Sequence, residues 1–148
     1  MSNKLFNTPF ELSLHVILLL AVAGKGITLD RIAAYDFIAI YSEDFGISET
    51  SLNGENGFAF SELSARRKLI KTAIKDLVLD RLVTVEDGEK GILYKASDTG
   101  KKMSAGLQSE YAAKYKELVS LAIKKYSRLN DIKLLDTINR QSTKSLRR

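Results

Sequence analysis

Residues 60–97 read FSELSARRKLIKTAIKDLVLDRLVTVEDGEKGILYKAS, and the hydrophobic period changes part-way along them. From a cap at Ser61, Leu63, Ile70, Ile74, Leu77 and Arg81 fall along one helical face, with Arg81 at its solvent-near end. Arg67, Lys71 and Lys75 recur every four residues on a neighbouring stripe, with Lys68 beside them. Past Leu82 the period drops to two. Val83 and Val85 alternate with polar residues, Glu86 to Gly91 supply a turn, and Ile92 and Tyr94 alternate again. The stretch therefore predicts an amphipathic helix with one basic face, followed by a β-hairpin.

Upstream lie two strongly apolar helices. Pro9 sits at a tolerated first-turn position, and Phe10 to Ala23 is apolar nearly all round before Gly24 closes it. Thr28 caps a second helix that runs to about Phe45, where Gly46 stops it. Gly46 to Ala59 carries Asn53-Gly54 and Asn56-Gly57 and reads as a long surface loop. Downstream, Asp98 caps a short helix ending near Gly106, and Ser109 caps a long one with an apolar stripe that includes Ala112, Tyr115, Leu118 and Ala122. An amphipathic piece from Asp131 to Ile138 leads into QSTKSLRR, which reads as disordered.

Helix, helix, helix, hairpin, helix is the order of a winged helix, a helix-turn-helix variant. The fold expected is mainly α, with one β-hairpin wing tipped by Glu86 to Gly91 and C-terminal helices. Residues 1–8 form an N-terminal arm and 9–106 the winged-helix domain, with the long loop at 46–60. Residues 107–138 form a helical extension and 139–148 a basic tail. The loop stands where a tight turn normally joins the second and third helices. It argues against strict presentation of the third helix to a major groove.

The 148 residues are 45% hydrophobic and 28% charged, enough for one globular core. The absence of Cys excludes disulfides and thiolate chemistry and suits a reducing cytoplasm. The N-terminus lacks the pattern of a signal peptide. Its most apolar run, Val16 to Ala23, falls far short of the ~20 residues that cross a bilayer. The net charge of +5 is uneven. Up to Ser97, 11 Lys and Arg stand against 13 Asp and Glu; from Asp98 onward, 12 stand against 5. Such asymmetry points to a nucleic acid or an acidic partner at the C-terminal end, although a solvated helix face carries the same signature.

Arg67, Lys68, Lys71 and Lys75, with Lys90 on the wing, are candidate contacts to a DNA backbone, each releasing a counterion. Nothing in their pattern reads bases. Arg66 lies across the core face from this stripe, so it is expected to pair with a carboxylate of the second helix or of a partner. Glu43 and Asp44 end the second helix against its dipole and are candidate partner contacts. His15, the only His, stands on the most buried helix and reads as a satisfied core histidine. AGKGIT lacks the spacing of a phosphate loop. No catalytic, cofactor or metal site is expected, and the chain does not read as an enzyme.

Several stretches together resemble a known family. They are Pro9-Phe10-Glu11, LDRIAAYDFIAIYSEDFG from Leu29 to Gly46, Ser51-Leu52, the third-helix sequence from Ser61 to Val83, Gly91-x-x-Tyr94, and GLQSEYAAKY from Gly106 to Tyr115. Over residues 8 to 128 their order and spacing resemble the middle component of bacterial ABC-three-component systems, the class that includes Lamassu-type antiphage defence. The resemblance implies a small subunit without activity of its own. It implies partners too: an SMC/Rad50-like ATPase, an effector subunit of nuclease type, and DNA within the complex. The residues leave open a stand-alone winged-helix transcription regulator of the MarR or PadR sort, dimerising through the Ser109 to Leu129 helix.

Overall fold

The structure, a computed structural model, describes residues 8–52, 58 and 60–146. Helix α1 (Pro9–Ala23) starts where the Thr8 hydroxyl accepts from Glu11 N at 3.2 Å, and Pro9 needs no amide partner in the first turn. It ends at Gly24, whose φ of 69° suits a residue without Cβ. Its all-round apolar surface is explained by its neighbours. It touches α2 (Leu29–Ile40), α3 (Phe60–Leu79), α4 (Asp98–Gly106) and α5 (Glu110–Tyr126), so Leu12, Ile17 and Leu19 are fully buried.

Helix α2 is capped by Thr28, as its sequence suggests, but it stops at Ile40 rather than near Phe45. Residues 41–46 instead form successive turns, in which Asp44 N donates to Tyr41 O, Gly46 N to Glu43 O and Ile47 N to Ser42 O. The turns bring Phe45 back onto the core. Phe58 meets it there, with its ring edge-on to Phe37 at 4.8 Å and stacked on Phe45 at 5.6 Å. The segment between α2 and α3 is thus not purely a surface loop: Ser51 and Phe58 are buried. The two Asn-Gly pairs lie outside the described residues.

Helix α3 begins at Phe60, which places Ser61 inside the first turn instead of at the cap. It closes with Arg81 N donating to Val78 O and Leu82 N to Leu77 O, with Arg81 itself at φ 62°. That pair of bonds is the Schellman arrangement, so Arg81 turns out of the helix and is exposed rather than extending the core face. Strands β1 (Val83–Gly88) and β2 (Gly91–Ala96) pair antiparallel from Val83↔Ala96 to Gly88↔Gly91. The tip therefore narrows to Glu89 and Lys90. Ile27 adds a third short strand edge, exchanging both backbone bonds with Tyr94 at 3.0 and 2.8 Å.

Ser97, not Asp98, caps α4: its hydroxyl accepts from Gly100 N at 3.0 Å and donates to Arg81 O at 2.8 Å. Ser109 caps α5 as expected. The last helix, α6 (Asp131–Leu146), runs beyond Ile138 into the stretch expected to be disordered. It lies on α2 and α3 and contributes Leu134 and Ile138 to the same buried cluster as the other helices. Arg31 on α2 ties it down. Its Nε donates to Asp131 Oδ1 at 2.9 Å, one Nη to the Tyr35 hydroxyl at 2.6 Å and the other to Leu129 O.

The described residues thus form six helices and one two-stranded hairpin. Among them no helix is long and apolar enough to cross a membrane.

Candidate functional site

The outward face of α3 is set by its inward one. Leu63, Ile70, Ala73, Ile74 and Leu77 are buried, which turns Lys68, Lys71 and Lys75 to solvent. Arg67 does not stand free with them. Its Nε donates to Asp30 Oδ1 at 2.6 Å, crossing to the first turn of α2. Among the described residues Lys68, Lys71 and Lys75 form no ion pair. Lys90 is not an extension of the stripe. It borders a separate cleft of about 590 Å³ between the hairpin tip and the α5–α6 linker, alongside Lys25, Arg31 and Arg128.

Lys71 and Lys75 edge a groove of about 390 Å³ between the C-terminal half of α3 and the hairpin. Leu29, Ile74, Val78 and Tyr94 line it, and Leu79 and Val85 complete it. These last two are 79% and 48% exposed. This apolar rim is not apparent from the sequence, because Leu79 lies off the core stripe and Val85 alternates with polar residues just as buried Val83 does. An apolar residue next to a satisfied core face was the available signal.

Glu43 and Asp44 do not end a helix, because α2 has stopped at Ile40. They sit in the turns that follow, Asp44 buried and Glu43 half-buried, where Glu43 N donates to the Ser51 hydroxyl at 3.3 Å. Arg66 points inward. Its Nε donates to Asp36 Oδ2 at 2.8 Å, so its carboxylate partner belongs to the second helix of the same chain.

Asp36 is the hub of a buried polar network that the sequence did not reveal. Besides Arg66, it accepts the Tyr115 hydroxyl at 2.7 Å on Oδ1 and lies 3.1 Å from His15 Nδ1. His15 Nε2 lies 3.2 Å from the Tyr111 hydroxyl, and its ring stacks on Tyr115 at 4.2 Å. The arrangement suits Nδ1–H donating to Asp36 while Nε2 accepts from Tyr111. Burial alone would raise the Asp36 carboxyl, but Arg66 and His15 outweigh it and hold the group well below the usual carboxylate range. Burial, and then the charge of Asp36, push the phenols of Tyr111 and Tyr115 up. His15 is thus a satisfied core histidine with named partners. The signal for the network was a charged Asp36 inside the otherwise apolar stretch of α2 from Ile32 to Ile40. Such a residue is almost never fully buried unpaired.

A cavity of about 510 Å³ reaches His15 and Tyr111 from the α4–α5 junction, where Leu14, Leu18 and Leu107 give it an apolar lining. Among the described residues no group of His, Asp and Glu is arranged to hold a metal ion.

The family described as ABC-three component (ABC-3C) system Middle Component 2 matches residues 5–148. No curated protein and no solved structure matches the chain.

Proposed function

The chain belongs to the middle component 2 family of ABC-three component systems, and from that premise we propose that it is a non-catalytic accessory subunit of a Lamassu-type antiphage defence complex. In this reading it bridges an SMC/Rad50-like ATPase and an effector of nuclease type, and helps to clamp DNA inside the assembly. A middle component implies protein partners, and the family match over nearly the whole chain is the observation that carries the proposal.

The fold suits the role as a winged helix. Three helices precede a hairpin wing, and Ile27 joins the wing through Tyr94. Backbone contact by Lys68, the lysine of the stripe that lies outside the groove edged by Lys71 and Lys75, would be electrostatic and independent of sequence. A buried network spent on internal pairing favours a scaffold over a reaction centre.

The test is co-expression with the ATPase and effector subunits that this reading expects in the neighbouring reading frames, followed by size-exclusion chromatography with light scattering. A stable complex containing all three supports the bridge. A free homodimer that binds one palindromic duplex tightly and ignores the other subunits would instead favour the regulator reading.

A further inference from the structure

We propose that the groove between α3 and the hairpin docks an acidic amphipathic segment of a partner subunit. The proposal rests on the accessory-subunit reading above and adds to it which surface does the binding and what chemistry it selects.

The apolar part comes first. Leu79 and Val85 stand 79% and 48% exposed at the groove edge, over a lining of Leu29, Ile74, Val78 and Tyr94. Leaving such side chains in water is unfavourable, and covering them is a standard source of affinity in a docked interface. A groove of about 390 Å³ holds two or three large side chains. DNA offers no such group at its phosphate edge, so a nucleic acid would leave this surface uncovered.

Charge selects the sign of the partner. Lys71 and Lys75 lie one helical turn apart on the same wall, roughly 6 Å from each other along the helix. Neither forms an ion pair among the described residues, whereas neighbouring Arg67 is held by Asp30. A partner segment with apolar side chains on one face and carboxylates one turn apart would satisfy floor and rim together. Val85 and Tyr94 are cross-strand partners, so the hairpin turns one face to the groove.

The experiment uses the full chain with the ATPase and effector subunits that the accessory-subunit reading expects in the neighbouring reading frames. Affinities of L79D, V85D and the double variant K71E/K75E are compared with wild type, and I132D serves as control. Ile132 is 79% exposed on α6 and outside the groove. Circular dichroism melts check that each variant folds, and carbodiimide cross-linking reports carboxylates within reach of Lys71 or Lys75. Each groove variant should weaken the complex at least tenfold while I132D does not, with Lys71 or Lys75 cross-linked to Asp or Glu of a partner.

A complex unaffected by L79D and V85D overturns the groove and leaves the accessory role intact. A wild-type chain that binds neither subunit overturns both. Loss of affinity for a random-sequence duplex in K71E/K75E, with L79D and V85D silent, makes the face a DNA contact and overturns the proposal. A homodimer broken by L79D does the same in favour of a second copy.

Discussion

Arg66 reaches from α3 to Asp36 on α2, Nε to Oδ2 at 2.8 Å, with both side chains withdrawn from water. The contact fixes the distance between two helices that the chain separates by the segment containing Phe58. A buried pair of this kind is expensive to form and far more expensive to break by halves, because the survivor keeps its charge without a partner.

Replacing Arg66 by Met is therefore expected to cost about 3–5 kcal/mol in urea denaturation. D36N should cost a similar amount, because it leaves the Arg66 guanidinium buried without a counter-charge even though an amide oxygen still accepts from Tyr115. The double variant should lose less than the two single losses added together, by at least about 1 kcal/mol, because each change removes part of the same interaction. Strict additivity would mean that the pair is not coupled.

The same carboxyl sets an acid limit. Its folded pKa is depressed, so its contribution to stability is fully present above the unfolded value of about 4 and is lost as pH falls through the folded value. Over that window it should add a slope of about 1.4 kcal/mol per pH unit, which D36N removes. The phenols work in the opposite direction. Tyr111 and Tyr115 are raised, so their contribution holds below pH ~10 and falls as pH climbs toward their folded values. Urea midpoints measured across both limits, with Y111F and Y115F as references, test the signs.

Gly100 lies in the first turn of α4, where an added Cβ would come within 2.1 Å of the Leu82 carbonyl oxygen. That carbonyl already accepts from Ser97 N at 3.0 Å, so it is not free to move. Gly100→Ala is expected to lower stability by about 1–3 kcal/mol, of the order measured for overpacked sites. A thermal melt within a degree of wild type would show that the α4 junction yields.

Arg81 closes α3 at φ 62° with its side chain in solvent. An L-residue in that conformation costs roughly 1–2 kcal/mol. Glycine avoids most of this but gives back roughly 0.5–1 through chain entropy. Arg81→Gly should thus raise stability by up to about 1 kcal/mol, read as a higher urea midpoint at unchanged slope.

Much of this architecture was legible from local pattern. The switch of period after Leu82 gave the α3–hairpin unit, and Thr28, Gly24 and Ser109 marked helix ends because capping needs only neighbouring residues. Properties decided at long range were not. The end of α2 moved from Phe45 to Ile40 because aromatic packing on Phe58 outweighs local helical preference. The continuation of α6 past Ile138 depends on a face laid against α2 and α3, which a polar, basic stretch does not advertise. At the candidate site, the lysine stripe followed from spacing alone. The pairing of Arg67 with Asp30, the separation of Lys90 and the exposed Leu79–Val85 edge all needed the fold.

The buried network draws its members from positions 15, 36, 66, 111 and 115. Seen during synthesis, it imposes a timetable. A nascent chain that ends at the hairpin already holds α1 to α3, but Asp36 still lacks the hydroxyl of Tyr115, and His15 has neither tyrosine ring against it. Long-range closure of this kind comes late, after the local helices are in place. The network can therefore close only once α5 has left the ribosome, and the core only once α6 follows with Leu134 and Ile138.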